Sequence, residues 1–144
     1  MLFGGYQHNI DKKGRVFIPS KLREELGTGF IICRGIYGKR CLCVYSAEEW
    51  DKLVAKIGTL PSAKSSAVKR FLYDGAFSID FDTQGRILIP PVLREYANLQ
   101  KDVVLVGVLS RVEIWDKDRW QENTYDEDEM DEIAEHMADL GFSI

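Results

Sequence analysis

The chain has 144 residues, 45% of them hydrophobic and 29% charged, which is the make-up of a soluble globular protein. No apolar stretch approaches the roughly 20 residues that a membrane-spanning helix requires, so such a span is excluded. The net charge of −4 hides an asymmetry: residues 121–144 hold nine acidic residues and no Lys or Arg, while the first 120 hold all 19 basic residues against 14 acidic ones, a net of +5. A mildly basic body with an acidic tail permits binding to phosphates.

The opening MLFGGYQHNID has no basic segment followed by an apolar run, so no secretory signal is expected. A short strand ends at Asn9-Ile10, and Asp11-Lys12-Lys13-Gly14 follows as a turn. The Asp carboxylate can accept bonds from the next backbone amides, and Gly takes a positive φ at low steric cost. Arg15 to Ile18 reads as a strand stopped by Pro19. Pro19 to Gly27 reads as a short helix, with Pro at its first position and Gly past its end. FIICRG and CLCVYS are strands rich in β-branched and aromatic residues. Ser46 opens a capping box for a helix carrying Trp50, Leu53, Val54 and Ile57, and Ser62 to Tyr73 makes a second helix between Pro61 and Gly75.

The same order then returns. A strand ends at Asp80-Phe81, Asp82-Thr83-Gln84-Gly85 turns, and RILIP stops at Pro90. The helix from Pro90 to Leu99 lacks a closing Gly. VVLVGVL and VEIW are strands, Asp116 caps a helix, and the acidic tail is a last helix with Met130, Ile133, Ala134 and Met137 on one face. Its charges read as a solvated face.

Between Asp11–Glu24 and Asp82–Glu95, eight of fourteen paired residues are identical, 71 positions apart. With the register shifted by one, VYSAEEW (44–50) matches IWDKDRW (114–120), and Trp50 falls on Trp120. Two copies of a unit of about 70 residues imply a pseudo-twofold arrangement, because a solenoid needs three or more repeats to bury its core. The expected division is 1–75 and 76–144.

Enzyme signatures are missing. There is no G-x-S-x-G elbow, H-E-x-x-H helix or G-x-G-x-x-G loop, and Gly35–Arg40 departs from a phosphate loop in spacing and in having Arg40 where Ser or Thr should stand. His8 and His136 read as structural or solvated. Neither catalytic residues nor a cofactor are expected. Cys33, Cys41 and Cys43 are an odd count; C-x-C inside an apolar run reads as a reduced strand segment, since the other ligands of a metal site are missing from the sequence. These features point to a reducing, cytoplasmic setting.

The repeated turns carry the chemistry that remains. Lys12, Lys13 and Arg15 crowd one hairpin, and Arg86 takes the matching place on the other. In one reading Asp11 pairs with Arg15, and Asp82 with Arg86, only to close each turn, a contribution of about 0–1 kcal/mol for exposed pairs. In the other, each Arg presents a planar fork of donors to a phosphate or a guanine edge, oriented by its Asp. The residues alone leave both open. Arg23 and Arg94, repeated on the short helices, are expected to be solvated or to form an intersubunit salt bridge.

The doubled D-x-x-G-R-[VI]-x-I-P followed by L-R-E, together with the opening MLFGGYQHNID, resembles the MraZ family of bacterial transcription factors over essentially the whole chain. A single copy would resemble only the wider AbrB/SpoVT class. The resemblance implies an α+β, mainly β fold: two tandem swapped-hairpin AbrB-like units forming a double-psi-like β-barrel with peripheral helices. It implies a closed ring of several subunits and binding of double-stranded DNA at short direct repeats in the promoter of the division and cell-wall gene cluster, commonly as a repressor. It assigns the DNA contacts to Asp11 with Arg15 and Asp82 with Arg86. Lys12, Lys13, Thr83 and Gln84 stand beside them as further contacts, with Gly14 and Gly85 forming the turns. The copies differ in their turn residues, so Arg15 and Lys13 rank above Arg86. Trp50, Val68, Phe71, Leu72 and Trp120 are candidates for a ring interface, with intrachain core the competing role. A nucleoid-associated, cytoplasmic regulator is the resulting expectation; a protein-interaction scaffold or an antitoxin-like module of the same fold is the alternative.

Overall fold

The computed structural model describes residues 1–35 and 40–142. Residues 36–39 of the stretch set against a phosphate loop lie outside the described residues. In chain order the elements are β1 (Gly5–Asn9), β2 (Arg15–Phe17), α1 (Ser20–Leu26), β3 (Ile31–Arg34), β4 (Leu42–Tyr45), α2 (Ala47–Ile57) and α3 (Ser62–Asp74). They are followed by β5 (Phe77–Ser78), β6 (Arg86–Leu88), α4 (Pro91–Tyr96), β7 (Asp102–Val108), β8 (Arg111–Asp116), α5 (Lys117–Asn123) and α6 (Glu127–Asp139). The second seven repeat the first seven in kind and order.

Local chemistry sets the boundaries. Pro19 is the N-cap of α1, one place earlier than expected, and Gly27 closes the helix at φ 64°. After α4, with no Gly available, Asn98 takes the left-handed conformation at φ 51°, which a short polar side chain tolerates. Ser46 Oγ accepts the Glu49 N–H at 3.2 Å, and Asp116 accepts the Asp118 N–H at 3.2 Å, so each repeat caps the helix after its last strand.

The six longer-range strands form one antiparallel sheet in the order β1-β7-β8-β4-β3-β5. Exchanging each strand for its counterpart in the other repeat reverses this order, so the pseudo-twofold axis passes between β8 and β4. The strand before each turn pairs outside its own repeat: β1 with β7, and β5 with β3. The strands after the turns, β2 and β6, pair with each other.

These ladders do not form the expected closed barrel. Among the described residues the sheet is open, with β1 and β5 at its edges, and β2–β6 stands apart as a two-stranded ribbon. Pro19 and Pro90 follow within two residues of the ribbon strands, and without an N–H neither can extend the ladder.

Alternation along the strands splits the core in two. Ile32, Leu42, Val44, Val103, Leu105, Val112 and Ile114 face the ribbon and the short helices, meeting Val16, Ile18, Leu22, Ile87, Ile89 and Leu93. On the other face, Cys33, Cys43, Tyr45, Val104 and Trp115 pack under α2 and α3 with Trp50, Ile57 and Leu72. Val68, Phe71 and Trp120 pack on that second core, so all five residues considered for a ring surface already make intrachain contacts. No residue of α6 is buried, and Met130 and Ile133 are exposed. None of the described helices is long and apolar enough to cross a membrane.

Candidate nucleic-acid interface

Each turn is closed by one carboxylate. Asp11 Oδ1 accepts the backbone N–H groups of Lys13 and Arg15, both at 2.9 Å, and Oδ2 accepts Arg15 Nε at 2.6 Å. Asp82 repeats the pattern, with Oδ1 taking the N–H groups of Gln84 and Arg86 at 2.9 Å and Oδ2 taking Arg86 Nε at 2.8 Å. Gly14 and Gly85 donate back to the Asp11 and Asp82 carbonyls from φ of 92° and 76°, a conformation that costs other residues strain. The backbone N–H of Arg15 and then its guanidinium hold the Asp11 carboxyl down to about 2, below its usual 3.8. The same bonds from Arg86 lower Asp82. Both carboxylates are therefore charged at neutral pH.

The ribbon decides where the arginines point. Val16 and Ile87 sit opposite each other and are buried, so their neighbours turn to the opposite face. Arg15 lies across from Leu88 and Phe17 from Arg86, which puts both arginines on the outer face of a single two-stranded ribbon. Each Asp engages the guanidinium through Nε, and among the described residues no hydrogen bond occupies the two terminal nitrogens, which are left for another acceptor. Lys12, Lys13, Thr83 and Gln84 are exposed at the turn tips. The structure thus gathers all ten expected site residues in the two turns at the ends of one ribbon, with Gly14 and Gly85 buried.

Two further pairs belong to this surface. Phe17 and Leu88 are 37% and 56% exposed on its outer face. The two-residue alternation in Arg15-Val16-Phe17-Ile18 was the signal for them. Arg23 and Arg94 are half-buried, and each packs as a latch against the other repeat's turn. Arg23 donates to the Ile18 carbonyl at 2.6 Å, lies 5.1 Å from the Phe17 ring centre, and fills the space where a Cβ at Gly85 would be. Arg94 donates to the Ile89 carbonyl at 3.1 Å, and a Cβ at Gly14 would come within 2.7 Å of its guanidinium. Sequence spacing could not find the approach to Gly85 and Gly14, because it crosses between repeats. Beside each latch lies a groove, one of about 490 Å³ next to Thr83 and Gln84 and one of about 500 Å³ next to Lys13.

Two copies of one strand–turn–strand–helix unit, exchanging strands and carrying paired Asp–Arg turns on a shared ribbon, define a tandem-repeat protein. Residues 1–70 and, separately, 72–141 match the family model described as "MraZ protein, putative antitoxin-like". The chain is 49% identical over 144 residues to the transcriptional regulator MraZ of Lachnoclostridium phytofermentans, covering 99% of both chains. It is 51% identical over 143 residues to that of Thermoanaerobacter sp. (strain X514), covering 97% of this chain and 99% of the relative. It is also 51% identical over 144 residues to that of Acetivibrio thermocellus, covering 98% and 99%. The chain belongs to the MraZ family, whose members named here are transcriptional regulators.

Proposed function

We propose that this protein is a sequence-specific DNA-binding regulator that reads short direct repeats with the outer face of the β2–β6 ribbon. The observation that carries the reading is that Arg15 and Arg86 stand on one face of one ribbon, each oriented through Nε by an ionised Asp. A two-stranded ribbon fits the major groove, and an oriented guanidinium fork matches the O6 and N7 acceptors of guanine. Leu88 and Phe17 supply apolar area beside the forks, suited to a thymine methyl group. Lys12 and Lys13 add phosphate contacts at the first turn, whereas Thr83 and Gln84 offer neutral hydrogen bonds at the second.

The ranking of the two turns follows from that difference in charge, with Arg15 and Lys13 ahead of Arg86. The family resemblance supports the remainder of the proposal: repeats 1–75 and 76–144 as one swapped-hairpin pair, a closed homo-oligomeric ring in the cytoplasm at the nucleoid, and repression of the division and cell-wall gene cluster. One ribbon makes few phosphate contacts, so its binding is weak and salt-sensitive. Several ribbons on one ring engaging successive repeats would raise avidity by about 10²–10⁴-fold.

The test is fluorescence anisotropy with a duplex of direct repeats from the protein's own operon promoter against a scrambled duplex, at three salt concentrations. Preference for the repeats, weakened by salt, is expected. Arg15→Ala should cost about 1–3 kcal/mol of binding, more than Arg86→Ala, with the fold intact by circular dichroism. Equal affinity for both duplexes, or an Arg15→Ala variant that binds like the parent, would overturn the proposal in favour of a protein-interaction scaffold.

A further inference from the structure

The second face of the sheet, away from the arginine ribbon, contains a cluster that the DNA-binding reading does not use. Cys43 on β4 lies directly across from Glu113 on β8, and Cys41, two residues earlier, projects to the same side of the sheet. One sulfur from each cysteine and one carboxylate oxygen of Glu113 lie within 4.8 Å of one another. Both cysteines are buried and outside any disulfide. The C-x-C pair alone offered no third ligand; the pairing of β4 with β8 supplies it.

We propose that Cys41, Cys43 and Glu113 bind one zinc ion. Two soft thiolates with one carboxylate suit zinc better than the hard cations, which take oxygen ligands alone. Tetrahedral bonds of about 2.0–2.3 Å would set the ligand atoms about 3.5–3.8 Å apart, so closing on the ion needs side-chain movements of about an ångström.

The surroundings fit that role. Arg111 donates to Glu113 Oε2 from Nε at 3.0 Å and Nη2 at 2.8 Å, and Trp115 Nε1 donates to Oε1 at 3.1 Å. Such bonds aim and stiffen a ligating carboxylate. With two thiolates and one carboxylate around a dication, the Arg111 charge brings the local sum to zero.

Room for the ion is built in as well. A cavity of about 290 Å³ opens over the cluster, lined by Gly35 and by Glu49, Lys52 and Lys56 of α2. A Cβ at Gly35 would stand 2.8 Å from the Cys41 sulfur and 3.6 Å from that of Cys43, so only glycine leaves the sulfurs approachable from that side. Lys52 is held by Glu48 and Glu49 at 3.3 and 3.4 Å. The fourth coordination position faces the cavity and suits water or a small anion. Because this face is opposite the ribbon, the site does not depend on the DNA-binding reading.

The test uses the reduced, chelator-stripped full chain, titrated with Co²⁺ as a spectroscopic probe and then with Zn²⁺. One Co²⁺ per chain is expected, with a thiolate-to-cobalt charge-transfer band that Zn²⁺ abolishes by displacement. Cys41→Ser and Cys43→Ser should each remove most of the band, Cys33→Ser should leave it, and Arg111→Gln should weaken Zn²⁺ binding about 10–100-fold. X-ray absorption at the zinc edge of the parent protein needs no variant to fold, and should find two sulfur ligands at about 2.3 Å with oxygen completing the shell. The absence of a charge-transfer band, a band that survives the Cys41→Ser/Cys43→Ser double variant, or a zinc shell without sulfur would overturn the proposal.

Discussion

At the scale of single residues, Asp11 and Asp82 give the turns a defined response to acid. Asp11 is held at about 2, first by the Arg15 backbone N–H and then by the Arg15 side chain, against 3.8 for a free carboxyl. A group whose pKa is lower in the folded state stabilises that state above its unfolded pKa and loses this contribution as pH falls through the folded value. The turn is therefore fully supported above about pH 4 and released between there and about pH 2, and Asp82 acts in the same direction. An Asp11→Asn variant should be less stable than the parent at neutral pH, and the difference should narrow as acid protonates the parent's carboxylate. Urea midpoints taken from pH 6 down to pH 2 measure this; a gap that stays constant would mean the carboxylate's charge plays no part in holding the turn. The pair was legible in the sequence because Asp and Arg are only four residues apart. The direction of the Arg fork was not, because it depends on the pairing of Arg15 with Leu88 across the ribbon.

At the scale of elements, the decisive contact is each short helix against the opposite repeat's turn. The sequence marks Gly85 as a turn glycine through its place after Asp82-Thr83-Gln84, and its φ of 76° agrees. Its second duty could not be read there: Arg23 of α1 occupies the space a side chain would need. Gly85→Ala therefore combines left-handed strain with displacement of Arg23 from the Ile18 carbonyl, and should cost about 1–3 kcal/mol from the strain alone. Gly27→Ala is the informative comparison, since Gly27 also has a positive φ, at 64°, but nothing lies within 4 Å of its added Cβ. If urea unfolding gave both variants the same loss, the helix-to-turn latch would contribute nothing. The elements themselves were legible from local rules, namely Pro and Asp caps, the capping Ser46 and β-branched strands. The packing of Arg23 against Gly85 and of Arg94 against Gly14 was not legible, because these residues lie more than sixty positions apart in the chain, where local spacing carries no information.

At the scale of the whole molecule, the repeat fixes what can fold by itself. The sequence supports two units, and the sheet order β1-β7-β8-β4-β3-β5 makes them interdependent. Residues 1–75 contain β1 and β2 but neither of their partners, β7 and β6, and their β3 would lose β5. The buried residues Val16 and Ile18 would also lose Ile87 and Ile89 across the ribbon. Unpaired strand edges and an opened core disfavour a folded monomer of either half. A second copy of the same half could restore every lost pairing, because the strands it would supply are counterparts of the missing ones. Separately produced 1–75 should therefore be dimeric or unfolded by sedimentation, and adding 76–144 should yield a one-to-one complex with the circular dichroism of the intact chain. A folded, monomeric 1–75 would contradict the interdependence. The open sheet, which the sequence did not foretell, leads to the same expectation as a closed barrel would, since the crossing of strands between repeats, and not closure, ties each half to the other.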